Sequence, residues 1–241
     1  MKLWKLTIIT LLLGLSATPA FAEILQIDSD FDGKPDQWHH RSEDGKLIKI
    51  EYDTNGDGKL DQIDIYDGNK TPLRAQMDRN HDGQLDQFQF YSTDGKLIRV
   101  EKDSKYSGRV DLKEFYTEEG ILDKIESDEN HDGYPDHRQL FTSKGLMLRA
   151  EYDLDFNGRF ERWENFDENG MLVIVSFDSN SDTRPDQWQY FKNSTVLDKV
   201  EFDTNHDGKR DRWEYYDDEN NVIRVEIDRN FDGKIDLVKK K

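Results

Sequence analysis

The sequence predicts an all-β fold: tandem 25-residue β-hairpins forming one elongated or rolled antiparallel sheet. Three observations predict it. Asp28, Asp53, Asp78, Asp103, Asp128, Asp153, Asp178, Asp203 and Asp228 stand 25 residues apart without an insertion or deletion, and a fixed period of that length marks a repeat architecture. Each period holds two short alternating segments, as in Arg212 to Tyr216 and Val222 to Ile227, and alternation with a period of two marks a strand. Between them lies a polar turn that often ends in glycine, at Gly45, Gly95, Gly120, Gly145 and Gly170. Such a turn joins the two segments as a hairpin.

The array is preceded by a leader. Lys2 and Lys5, the apolar run from Leu6 to Leu15 and the small-x-small triplet Ala20-Phe21-Ala22 have the layout of a secretory signal peptide. Residues 1–22 are therefore read as a signal peptide cleaved after Ala22, and residues 23–241 as a single repeat domain. The apolar run is too short to span a bilayer comfortably, so no membrane insertion is expected after cleavage. The chain has no cysteine, which excludes a lipoprotein anchor and any disulfide staple. A periplasmic or secreted location follows. Eight complete units run from Asp28 to Ile227, a ninth starts at Asp228, and Glu23 to Ile27 matches the end of a unit. The repeat fills the domain and leaves no room for a separate catalytic unit.

Charge narrows the partners. The sequence has 34 basic and 52 acidic residues, and without Lys2 and Lys5 the balance is 32 against 52, a net of −20. Nucleic acid and anionic membrane surfaces are poor partners for such a surface, and cations are good ones. The 5 Trp, 10 Tyr and 13 Phe argue against a disordered chain.

Numbering each unit 1 to 25 from its leading aspartate gives a register to test. If position 14 pairs with 20, then 12 faces 22 and 10 faces 24. Glu214 then lies opposite Arg224, and Arg212 opposite Glu226, Glu114 opposite Lys124 and Asp64 opposite Arg74, favourable cross-strand pairs. The same register sends positions 11, 13, 21, 23 and 25 to the other face, with Trp163, Trp188, Trp213, Ile48, Ile50, Val100 and Phe202. These aromatics are read as core rather than as a carbohydrate-binding strip, because their period of two is that of a buried strand face. A four-bladed propeller with two units per blade is the alternative architecture. The six histidines fall at unrelated repeat positions on this reading and receive no role.

Positions 1 to 9 carry the chemistry, in the pattern Asp-x-Asn/Asp-x-Asp-Gly-x-x-Asp. The oxygen ligands at positions 1, 3, 5 and 9 are complete at Asp28, Asp30, Asp32 and Asp36, at Asp53, Asn55, Asp57 and Asp61, and at Asp78, Asn80, Asp82 and Asp86. They are complete again at Asp128, Asn130, Asp132 and Asp136, at Asp203, Asn205, Asp207 and Asp211, and at Asp228, Asn230, Asp232 and Asp236. Asp153, Asp155, Asn157 and Glu161 form a variant set. Asp178, Asn180, Asp182 and Asp186 keep their oxygens but have Thr183 where glycine is usual, which strains the turn. In the fourth loop Lys105 and Ser107 replace two ligands between Asp103 and Asp111, which predicts a metal-free loop held by an internal ion pair.

These loops resemble the calcium loops of EF-hands, dockerins and thrombospondin type-3 repeats. The resemblance covers the loop alone: flanking strands replace helices, and position 12 is Glu only at Glu114, Glu164 and Glu214. It implies about eight calcium ions, whose hard character suits convergent oxygens. Magnesium prefers stricter octahedral sites, and zinc or copper would want His or Cys. The second half of the unit, Tyr91 to Arg99 for example, resembles hairpin repeats of the MORN and tyrosine-aspartate classes. The expectation is a non-enzymatic, calcium-stabilised scaffold or binding surface. Its alternatives are an exported calcium sensor or buffer, an adhesion or carbohydrate-binding protein with a protein or glycan partner, and a calcium-dependent polysaccharide-active enzyme.

Overall fold

The computed structural model describes residues 23–241; the leader read into residues 1–22 lies outside the described residues. The described chain is all-β. It forms one antiparallel sheet of 18 strands, starting with β1 (Ile24–Ile27), β2 (Gln37–Arg41), β3 (Leu47–Tyr52) and β4 (Gln62–Tyr66). It closes with β16 (Arg212–Tyr216), β17 (Val222–Ile227) and β18 (Leu237–Lys240). Each complete unit contributes one hairpin, and pairing joins strands that follow one another in the chain. The ladder does not pause between units: β3 pairs with β4 through Lys49↔Ile65 and Tyr52↔Gln62, as β2 pairs with β3 within the first hairpin. Separate propeller blades would require that ladder to break, so the propeller alternative is not formed.

The register differs from the expected one by a single residue. In β16–β17 Tyr216 does face Val222, position 14 against 20. The register then shifts, and Tyr215 faces Arg224, Glu214 faces Val225 and Trp213 faces Glu226. The same shift occurs at the same place in every hairpin. Its cause is in the turn. In the first hairpin the Ser42 N–H donates to the Lys46 carbonyl at 2.8 Å and the Gly45 N–H to the Ser42 carbonyl at 2.9 Å, with Gly45 at φ 78°. This left-handed step, open to glycine without steric cost, leaves one extra residue at position 21. A β-bulge absorbs it. That residue turns outward, and Leu73, Ile98, Leu148 and Ile223 are exposed.

The slip reassorts the two faces. Positions 11, 13, 22 and 24 now share a face, so aromatic and charged side chains lie together instead of apart. The charges pair along one strand: Lys49 Nζ is 2.6 Å from Glu51 and Arg224 is 3.2 Å from Glu226. The cations also cover rings, with the Arg224 guanidinium 3.9 Å from the Tyr215 centroid and Lys124 Nζ 4.0 Å from that of Phe115, a contact worth about 0.5–1 kcal/mol at exposed sites. The expected cross-strand pair Arg212–Glu226 is replaced by one along the strand, Arg212–Glu214. On the opposite face position 23 forms the core: Ile50, Ala75, Val100, Ala150, Val175 and Val200 are buried down the middle of the sheet. Trp163 is buried as expected, whereas Trp188 and Trp213 are only half-buried. Among the described residues no large side chain is fully buried.

Candidate metal centres

The loops sit where one hairpin passes to the next, and the ladder builds them. The N–H of each position-9 residue donates to the last residue of the preceding strand, as Asp36 does to Ile27 at 2.9 Å. The N–H of each following position-1 aspartate donates to that position-9 carbonyl, as Asp53 does to Asp36 at 2.9 Å and Asp178 to Glu161 at 2.8 Å. Positions 1 and 9 therefore extend the sheet by one rung, and the packing of the strands buries most of them. Asp78 is 3 % exposed, Asp211 3 % and Asp153 4 %, less than any tryptophan of the array.

Inside each loop the side chains fold the backbone around themselves. Position 1 accepts the N–H of residue 6, as Asp28 Oδ2 does from Gly33 at 2.9 Å. Position 9 accepts that of residue 2 and, in five loops, that of residue 3 as well, as Asp36 Oδ2 does from Ser29 at 2.9 Å and Asp30 at 3.3 Å. Where position 3 is Asp or Asn it accepts the N–H of residue 5, and where position 5 is Asp it accepts that of residue 7, as in Asp32 to Asp30 at 3.0 Å and Lys34 to Asp32 at 2.7 Å. The wrapping forces residue 4 into the left-handed region in all nine loops. Only Gly56 does so as a glycine; Phe31, His81, Tyr106, His131, Phe156, Ser181, His206 and Phe231 hold φ between 53° and 64°.

The expected ligands do not all converge equally. Asp28, Asp30 and Asp36 each bring an oxygen within 4.8 Å of the others, and so do Asp153, Asp155 and Glu161. Asp32 lies outside the first cluster. In the asparagine-bearing loops the amide of position 3 turns to position 5, with Asn80 Nδ2 donating to Asp82 at 2.9 Å, Asn130 to Asp132 at 3.0 Å, Asn180 to Asp182 at 3.2 Å, Asn205 to Asp207 at 3.2 Å and Asn230 to Asp232 at 3.4 Å. Asn55 donates instead to Asp61 at 3.3 Å. Thus positions 1 and 9 form the floor of each loop, buried in most and half-buried at Asp28, Asp36 and Asp128, with Asp236 exposed at the C-terminal edge, and positions 3 and 5 form its rim. Asp57 and Asp236 occupy the same places in their loops, accepting the N–H groups of Lys59 at 2.8 Å and Arg229 at 2.8 Å. In the seventh loop Asp186 accepts the Ser179 N–H at 2.8 Å, while Thr183 takes φ 76° to keep its N–H on Asp178 at 2.7 Å.

Several floor oxygens have no partner. Asp28 Oδ1, Asp36 Oδ1, Asp136 Oδ1 and Glu161 Oε1 are buried without a hydrogen bond, a costly state for a carboxylate. Burial pushes the Glu161 carboxyl up, and Asp155, Asp153 and Asp178 push it further. At Asp61 burial also pushes upward, but hydrogen bonds from Thr54 and His81 outweigh it and hold the group low. A hard cation placed between the floor and the rim would satisfy the orphaned oxygens, and the donor set is all oxygen, as calcium prefers.

Two expectations need correction. Lys105 makes no ion pair among the described residues. The fourth loop is instead closed by serine: Ser107 donates N–H and hydroxyl to Asp103 Oδ1 at 2.9 and 3.2 Å, and Ser104 donates N–H and hydroxyl to the two oxygens of Asp111, both at 2.7 Å. The histidines are not scattered either. His81, His131 and His206 all occupy position 4, with separations of 50 and 75 residues that were legible in the sequence. His81 Nδ1 lies 2.8 Å from Asp61 Oδ1, and His206 Nδ1 3.6 Å from Asp186 Oδ2. His81 and His206 thus reach back from their own loops to the floor of the previous one.

No protein-family model matches the chain, and no curated protein does. Among solved structures it is similar to the crystal structures of TcdB2-TccC3-TEV and TcdB2-TccC3, both at 13 % identity and TM-score 0.22, covering 86 % and 85 % of this chain and 16 % and 15 % of theirs. TcdB2-TccC3-Cdc42 is similar at 12 % identity and TM-score 0.23, over 86 % of this chain and 16 % of that one. The chain spans about a sixth of the length of these structures. Its own architecture makes it a β-hairpin repeat protein in a single sheet.

Proposed function

We propose that this is an exported calcium-binding protein, a scaffold or binding surface whose hairpin array is stabilised by about eight ions, one at each loop except the fourth. The observation that carries the reading is the carboxylate floor at positions 1 and 9, which converges with position 3 in the first and sixth loops and holds oxygens without a partner at Asp28, Asp36, Asp136 and Glu161. Carboxylates buried beside a loop that carries further acidic groups need positive charge there, and only the fourth loop balances its acidic residues in number with its own Lys105 and Arg109. Extracellular calcium modules typically bind at about 10⁻⁴–10⁻³ M. At a millimolar ion level and a Kd of about 0.1 mM, each site adds roughly 1.4 kcal/mol to the folded state. Summed along an array with a thin core, such terms decide whether the sheet is ordered.

A binding surface finds specific support in the rim. Phe31 is 89 % exposed, and Tyr106, Phe156 and Phe231 are also exposed at the same repeat position. Left-handed backbone costs a non-glycine residue about 1–2 kcal/mol, so the loops hold these rings out at a cost. A protein or glycan partner contacting the loop edge fits that arrangement. The test is a calcium titration of residues 23–241 with bound ions counted by native mass spectrometry and strand order followed by circular dichroism.

A further inference from the structure

The fourth unit departs from the others in charge as well as in ligands. Over positions 1 to 9 the other eight loops carry net charges from −1 to −4, whereas Asp103 to Asp111 balances two aspartates with Lys105 and Arg109 and is neutral. Its floor is also complete. Asp103 Oδ1 takes the Ser107 N–H and hydroxyl, Asp103 Oδ2 takes the Gly108 N–H at 2.6 Å, and the two Asp111 oxygens take Ser104. The loops at Asp53 and Asp203 fill their floors too, but Asp57 and Asp207 on their rims leave them negative. Yet the fourth loop keeps the shared backbone, with Tyr106 at φ 53° and Gly108 at φ 84°. It also passes the ladder on in both directions, Asp103 N–H to Asp86 and Asp128 N–H to Asp111, at 2.8 and 2.9 Å.

We propose that the fourth unit is a calcium-independent anchor from which calcium-dependent order spreads along the sheet, through three loops on its N-terminal side and five on its C-terminal side. This rests on the reading of the other loops as calcium sites. The physical basis is the array itself. Each unit contacts only its neighbours, so order in a repeat protein propagates from wherever one unit is stable alone. Without a cation, the acidic loops set rim carboxylates at positions 3 and 5 against those of the floor, whereas the fourth loop has Lys105 and Ser107 at these positions and holds its two floor aspartates with serine hydrogen bonds. The backbone hydrogen bond from the N–H of each position 1 to the preceding position-9 carbonyl joins two floor residues directly, so fixing one loop places half of the next. The fourth unit thereby gives a nearest-neighbour template to its two flanking loops, those at Asp78 and Asp128, before any ion binds.

Hydrogen exchange read by mass spectrometry on residues 23–241, in chelator and in millimolar calcium, tests this. In chelator, peptides covering β7 (Leu97–Lys102), β8 (Leu112–Tyr116) and β9 (Leu122–Ser127) should exchange about tenfold more slowly than those covering 197–227, with protection falling away from the fourth unit on both sides. Calcium should remove that gradient. The double substitution Lys105→Asn with Ser107→Asp should raise the ion count by one and abolish the protection of 97–127 in chelator, with calcium restoring it. If ions bind but 97–127 exchanges in chelator as fast as the rest, or the whole array is protected equally, the anchor is wrong and the calcium sites stand. If no ion binds at millimolar calcium, the calcium reading fails and the anchor with it.

Discussion

Thr183 shows how strongly the loop dictates backbone at a single residue. It sits at φ 76° in a position where all eight other loops have glycine at φ between 84° and 96°, and a β-branched residue is a genuine outlier there. Its N–H still reaches Asp178 at 2.7 Å, so the hydrogen bond holds the strain in place. Thr183→Gly should therefore stabilise the array by about 1 kcal/mol, the left-handed penalty less the entropy glycine adds to the unfolded chain; an unchanged or lowered melting midpoint would contradict this. The tyrosines at position 14 make a second residue-level prediction. Burial, followed by hydrogen bonds to Glu114 and Glu214, pushes Tyr116 and Tyr216 up to about 12. A phenol raised above its unfolded value of 10 stays protonated in the fold while the unfolded chain ionises, so the stability it contributes is present below pH 10 and lost as pH rises toward 12. Burial likewise pushes Tyr52 up to about 12, so an ultraviolet titration should show three tyrosines ionising last, together with loss of strand signal. Ionisation of every tyrosine near pH 10 with the sheet intact would refute it.

At the scale of the hairpin, the sequence predicted strands, turns and the inward position 23, and missed the bulge. Alternation alone places positions 21, 23 and 25 on one face. The extra residue after the five-residue turn breaks that rule, and nothing in the identity of Ile223 or Leu73 announces it. The charges misled for a related reason: Arg224 and Glu226 attract each other along one strand, so opposite charges at 22 and 24 satisfy themselves without the cross-strand register they suggested. Ile50 and Ile223 separate the two registers. Ile50→Ala removes a buried core side chain and should cost about 2–5 kcal/mol. Ile223→Ala acts on an exposed bulge residue and should stay within about 0.5 kcal/mol. Denaturant unfolding of the two variants checks this, and equal losses would restore the unbulged pairing. The floor and rim positions of the loops were legible because Asp, Asn and Gly recur at fixed offsets. The left-handed position 4 was not, since Phe, Tyr and His there carry none of glycine's signal.

For the whole molecule, period, sheet and charge have one physical consequence. A sheet whose buried core is a single row of small aliphatic residues gains little from apolar burial, and the aspartates it buries at every unit boundary oppose folding unless they are neutralised. Counting ions on residues 23–241 by native mass spectrometry while circular dichroism follows the strands tests this most directly. About eight bound ions with a gain of β signal on calcium addition is the predicted result. A fully ordered sheet that binds no calcium at millimolar concentration would contradict it.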